Sequence, residues 1–394
     1  MAGHHLSHSD LWVDLRARIF QATTALGRPP LYPQRTIAVL LDDDDYWSDA
    51  PVAGGAPGVR DALAGRVPTN RAYLARLITK LDAANVSVIA LDFDLRSPRP
   101  GTEDFSEYKP ETGELIAAIR QACAHKKQIV LASSLTEASG EYAEVPSVYD
   151  SANLDSACVH KGYIQLPYDM RRLPGAVTLA NGQQLDSFSL AATRAVDPVA
   201  YSRVIDDQET VFPYSRFITD AAFRDPSQEQ SVFTGREILA ADADKLAAKL
   251  VTRIVVIGAD WHSLAWHQGP YVDRHNSPGG LLAGTLLHAN YIEAMVQDGM
   301  LRPFPDNVAE ILDVVLVLLL SCLGLLEIHV LWKWAAVAAA FLVVLVGSYL
   351  FLQTFGLFLD VFFPLIILGL HAVYEHLSEW RRAAHELAAK EVAT

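Results

Sequence analysis

Four apolar runs constrain the fold more than any other feature of this chain: TIAVLLD (36–42), VSVIALDFD (86–94), QIVLASSL (128–135) and RIVVIGA (253–259). Each is continuously apolar rather than alternating, the pattern of strands buried on both faces. Amphipathic segments separate them. In 70–86, Tyr73, Leu74, Leu77, Ile78 and Leu81 recur at helical spacing, and 111–126 and 282–297 read as two more helices. Buried strands alternating with helices predict an α/β fold, with a mostly parallel covered sheet, doubly wound or close to it. The stretch 136–250 is less regular and reads as an insertion with strands of its own.

The rest of the chain follows a different rule. Residues 308–328, 334–352 and 355–374 are three nearly uncharged runs joined by short loops. Each approaches the roughly 20 residues that cross a hydrocarbon core of about 30 Å, so three transmembrane α-helices are expected across 307–375. Lys333, Arg381 and Arg382 favour a cytoplasmic first loop and tail, which puts the preceding domain outside, in a multi-pass protein of the cell inner membrane. Residues 1–34 hold no apolar leader and no span, which pulls against export of the domain. Residues 376–394 read as a short amphipathic tail. Small residues within the spans (Gly324, Ala338 to Ala340, Gly347, Ser348) suit close helix packing in a homodimer or higher homo-oligomer.

The organisation is therefore an N-terminal segment (1–34), an α/β domain (35–306), the spans and the tail. Net charge is −14 with no long basic run, which excludes nucleic acid as a partner and leaves the lipid bilayer. Cys123, Cys158 and Cys322 show no CxxC spacing, and neither a disulfide framework nor a thiolate zinc site is indicated.

Ligands of such sheets bind beyond the carboxyl ends of the strands. That edge collects Asp42 to Asp45, Asp92, Asp94 and the passage Asp260 to Gly280. Two readings of the acidic edge remain open. Asp42, Asp92 and Asp94 would suit Mg²⁺, with His262, His267 or His275 as a further ligand or general base in hydrolysis. Alternatively the acids cap turns, most of the DDDD run faces solvent, Asp273 and His275 pin a loop, and His288 or Asn290 crosslinks a neighbouring loop. No nucleophile elbow, phosphate loop or dinucleotide fingerprint is present. No catalytic residue, metal ligand or cofactor is assigned.

The order of these blocks resembles the CHASE type 2 family of bacterial extracellular sensory domains. RTIAVLLDDDDYW is similar to its opening strand. VPTNRAYLARLITKLDAANVSVIALDFDLRSP carries Pro68, Arg71 and Asp92. GYIQLPYDMRRLPG supplies Gly162, Asp169, Arg172 and Pro174. IVVIGADWHSLAWHQGPYVDRHNSPGGLLAGTLLHAN supplies Asp273, Pro278, Gly284 and His288-Ala289-Asn290, with GADWHSLAWHQ longer than the usual loop. The resemblance implies signal sensing by an extracytoplasmic domain followed by three spans. The expected role is a membrane-anchored sensor that binds a small ligand or ion at a rim of Asp42, Arg71, Asp92, Asp94, Asp273, His275, His288 and Asn290, and passes the signal to a partner protein in trans. A membrane-bound metal-dependent hydrolase and an oligomeric membrane effector are the alternatives.

Overall fold

The computed structural model describes residues 32–47, 71–95 and 108–297, with short interruptions at 151, 168–169, 171, 211–213, 216–217, 265–266 and 278, then 300–303 and scattered positions from 311 to 385. The chain divides into two compact units, 30–300 and 1–29 with 301–394.

The first unit is built on six parallel strands: β1 (Thr36–Leu41), β2 (Val88–Leu91), β3 (Gln128–Ser133), β4 (Val159–Tyr163), β5 (Val232–Thr234) and β6 (Ile254–Ala259), in spatial order β5-β1-β6-β2-β3-β4. Alternate residues of each strand enter opposite apolar layers, as the period of 2 requires. The registered neighbours Ile37, Val255, Ile89 and Ile129 share one face. They pack there with the helices Arg71–Ala83 and Tyr108–Ala124. Ala38, Val88, Ala90, Val130, Ile254 and Val256 face the other layer, against Phe188–Val196 and Gly284–Val296. Fully burying one such Leu, Ile or Val contributes roughly 1.5–3 kcal/mol, so this double burial selects the covered parallel sheet. The α/β expectation holds.

The 136–250 stretch is not an insertion beside the sheet. It supplies both edge strands, β4 and β5, and the Phe188–Val196 helix that covers the second face. These strands are too short, and too polar where they lie at the edge, to show an apolar run. Cys123 and Cys158 are joined by a disulfide with Cα atoms 5.7 Å apart, contrary to the expectation from their spacing. Thirty-five residues separate them, and only the return of the chain to β4 beside the end of the Tyr108–Ala124 helix brings them together.

One buried carboxylate locks the sheet's entry. Glu293, near the end of the Gly284–Val296 helix, accepts the backbone N–H groups of Gln34 (2.8 Å), Arg35 (2.9 Å) and Thr36 (2.7 Å), and the Thr36 hydroxyl (2.5 Å). Gln297 donates to the same carboxylate and to the Tyr32 carbonyl. The segment by which the chain enters the sheet and the residue that ends the Gly284–Val296 helix are thus tied to one side chain.

In the second unit, the stretches 308–328, 334–352 and 355–374 lie for the most part outside the described residues. Among the described residues no helix is long and apolar enough to cross a membrane. Described helical positions Ile311, Val314, Val315 and Leu318 follow i, i+3, i+4, i+7 spacing and are all exposed, as are Trp332, Leu342, Val343, Val346 and Leu350.

Glu293→Gln replaces acceptors with an amide that cannot serve every donor around it. The substitution should destabilise the α/β unit by about 2 kcal/mol, the usual scale for hydrogen bonds to a charged group; an unchanged denaturation midpoint of the full chain would rule the clamp out.

Candidate functional site at the strand tips

The carboxyl ends of three adjacent strands, β1, β6 and β2, form the site, as the acid-tipped runs predict. The loop leaving β6 leads to the Gly284–Val296 helix in one layer, while β1 and β2 lead to Arg71–Ala83 and Tyr108–Ala124 in the other. The chain thus leaves neighbouring strands toward opposite faces at this point, the place where open α/β sheets hold their ligands. The antiparallel hairpin Arg274–Ser277 with Gly280–Ala283 connects β6 to its helix.

At the β2 tip, Asp92 meets the helix. Its side chain is 5% exposed, and its Oδ1 lies 3.7 Å from Nε2 of His288. The Thr285 hydroxyl donates to Asp92 Oδ2 at 3.0 Å. Two glycines permit this approach: a Cβ at Gly258 would overlap the Thr285 hydroxyl, and one at Gly284 would overlap the Asp273 carboxylate. Ser189 Oγ lies 3.0 Å from His288 Nδ1, and the Phe188 ring meets the imidazole edge-on. Asp273 pairs with His275 at 2.8 Å and accepts the Gly284 N–H through its carbonyl at 2.8 Å.

The electrostatics follow from this enclosure. Burial pushes Asp92 up to about 8; the Asp273 charge adds to the rise, and the Thr285 bond and His275 oppose it. Burial drives His288 down to about 4, helped by His275 and opposed by Asp273 and a bond to the Ile164 carbonyl. His275 is raised by its hydrogen bond to Asp273. At neutral pH, Asp92 is therefore a buried carboxylic acid beside a neutral imidazole.

Of the eight residues expected at the rim, Asp92, Asp273, His275 and His288 come together. Asp42 instead caps the turn Asp43–Tyr46, accepting the Asp45 N–H at 3.0 Å. Arg71 is buried in the other layer and donates to the Thr112 hydroxyl. Asp94 is half-buried just beyond the β2 tip. Asn290 is a crosslink: its amide bonds both the N–H and the carbonyl of Ile218 at 3.2 Å. Asp42, Asp92 and Asp94 form no common cation site among the described residues. Asp169, Pro68 and Pro278 lie outside the described residues.

The DDDD run does not mostly face solvent. Asp45 is buried, accepting the Tyr73 hydroxyl at 2.6 Å and the Gly235 N–H at 2.9 Å. Asp43 is buried too, and accepts the N–H groups of His262 (2.7 Å) and His267 (3.0 Å). Burial alone would raise Asp43, yet those amides and the His262 ring hold it below the usual carboxylate range. Both imidazoles converge on Asp43 Oδ2, His262 Nδ1 at 2.6 Å and His267 Nδ1 at 2.8 Å. A run of identical acids gives no sequence signal for which members turn inward. Between the two clusters, Asp260 takes a two-point bond from Arg274 (2.7 and 2.9 Å), whose guanidinium lies 3.6 Å from the Tyr271 ring centroid. Trp261 covers apolar surface, stacked on Tyr46 at 4.2 Å; Trp266 lies outside the described residues.

A sheet edge that carries these blocks in this order matches the family model described as the CHASE2 domain over residues 5–326. The chain belongs to the CHASE2 family. No curated protein and no solved structure matches it. Membership makes signal sensing the role suggested for this CHASE2 domain.

The acid and the imidazole at the β2 tip give stability a defined pH dependence. Native Asp92 keeps a proton that the unfolded chain releases above about pH 4, so its contribution is full below that value and is lost as pH rises through about 8. His288 acts oppositely: its contribution is present above about 6.5 and is lost as pH falls towards 4. The two slopes cancel between those values. Above pH 6.5 the Asp92 slope remains, joined by that of His275, and stability should fall by about 1–2 kcal/mol up to pH 8.5. Denaturation midpoints of the full chain across this range check it, with Asp92→Asn expected to flatten the decline; an equally steep decline in that variant contradicts the assignment.

Proposed function

We propose that this CHASE2 protein is a membrane-anchored sensor. Its α/β domain receives a small ligand or ion at the β1-β6-β2 tips, outside the cytoplasm. The signal then passes through the apolar segments of 308–374 to a partner protein, from a homodimeric or higher homo-oligomeric assembly. One observation carries the relay: the Gly284–Val296 helix begins at the rim with Gly284, Thr285 and His288 and ends at Glu293, which holds Gln34 to Thr36 and Gln297. A ligand that binds two hairpin positions with different affinity shifts this helix, and with it both chain ends of the domain.

Two further observations support the membrane and the compartment. The exposed apolar face at Ile311, Val314, Val315 and Leu318 is costly in water and natural against lipid. The Cys123–Cys158 disulfide suits an oxidising, extracytoplasmic setting.

Hydrogen exchange on the full chain in detergent tests the relay. Asp273→Asn loosens the hairpin, and protection should fall both at Gly284 to His288 and at residues 34–36; a change confined to the hairpin would sink the relay. Protease added to intact spheroplasts tests the orientation: cleavage within 35–300 is expected, and cleavage seen only after lysis would reverse the topology.

A further inference from the structure

We infer that Asp43, His262 and His267 form an open site for one divalent transition ion of the Zn²⁺ class. This inference goes beyond the sensory reading and stands without it.

Among the described residues these three are the group whose ligand atoms all lie within 4.8 Å of one another. They come from two neighbouring strand tips. Asp43 sits in the turn after β1, and the two histidines sit in the loop after β6. Two imidazole nitrogens aimed at one carboxylate oxygen need two ring protons to hold the arrangement, and a cation between them replaces both. An ion holding such ligands at about 2.0–2.1 Å needs donor separations of roughly 3.3 Å. The observed 2.6 and 2.8 Å are both shorter, so each histidine–Asp43 contact lengthens by roughly 0.5–0.7 Å as the ion enters. His267, 75% exposed on the solvent side of the loop, has room to withdraw, and the Asp43 carboxylate can pivot away from His262.

The surroundings hold the other ligands in place. Both Asp43 oxygens are oriented by backbone N–H groups, Oδ1 by His262 and Oδ2 by His267. The Trp47 indole donates to the His262 carbonyl at 2.9 Å, and the Tyr271 ring lies 4.0 Å from the His262 ring. Such bonds to the ligands' neighbours fix their direction, as outer contacts do in established metal sites. Two imidazoles and one carboxylate suit Zn²⁺, Co²⁺, Ni²⁺ or Cu²⁺, whereas a single carboxylate is a poor match for Ca²⁺ or Mg²⁺. Three protein ligands leave a fourth position for water or an exogenous donor, on the exposed side of His267.

The test uses the full chain in detergent, stripped with chelator and titrated with Co²⁺ while visible absorption is followed. One Co²⁺ per chain should bind with ligand-field bands and be displaced by Zn²⁺. His267→Asn suits the positive φ of +54° at this position, and should weaken binding at least tenfold at an unchanged melting temperature. His262→Gln should weaken binding at least as much. A variant with His4, His5 and His8 changed to Ala should bind as the parent does. Absence of saturable binding, binding indifferent to both loop histidines, or loss of binding in the N-terminal triple variant would each overturn the site.

Discussion

A parallel sheet covered on both faces leaves its central strands no place for a charged side chain except at their ends. Ile37, Val255, Ile89 and Ile129 fill one layer, and Ala38, Val256 and Ala90 the other, so charge within β1, β6 and β2 would be buried without a partner. The chemistry of the domain is therefore displaced to the residues immediately after these strands. Asp43, Asp260 and Asp92 mark the three tips, and each is answered by a specific partner from the loop or helix that follows β6.

Those partners make the edge a connected device rather than a row of acids. The single hairpin that carries Arg274 and His275 serves Asp260 with one residue and Asp273 with the next. Its helix then presents Thr285 and His288 to Asp92, and Glu293 to the start of β1. Placing Asp92 in an enclosed site costs ionisation energy, and the domain meets that cost by keeping the carboxyl group protonated beside a neutral imidazole. A group held so far from its ordinary protonation is sensitive to any charge that arrives beside it.

Much of the fold was legible in the chain. The continuous apolar runs declare strands buried on both sides, and the 3.6-residue spacing of Tyr73, Leu74, Leu77, Ile78 and Leu81 declares a helix lying on them. The acid following three of the four runs (Asp42, Asp92 and Asp260) indicates the rim, and Asp92, Asp273, His275 and His288 do meet there. The loop-pinning role of Asp273 with His275 was also readable, because the two flank a turn and lie two residues apart; that Asn290 crosslinks a neighbouring loop was readable too, but its partner Ile218, 72 residues away, was not. The edge strands β4 and β5 were not readable. Val159–Tyr163 is half polar, and Val232–Thr234 has only three residues, too few for any period to show.

Local pattern thus determined the class of fold, the covered sheet, the position of the acidic edge and the apolar character of 308–374, because each depends on spacings a few residues long. Tertiary structure alone decided which acids of the 42–45 run turn inward, that Asp43 rather than Asp42 meets His262 and His267, that Cys123 reaches Cys158, and that Glu293 clamps residues some 258 positions away. Such pairings depend on how distant segments approach once the sheet is assembled, and a linear spacing carries no record of that approach.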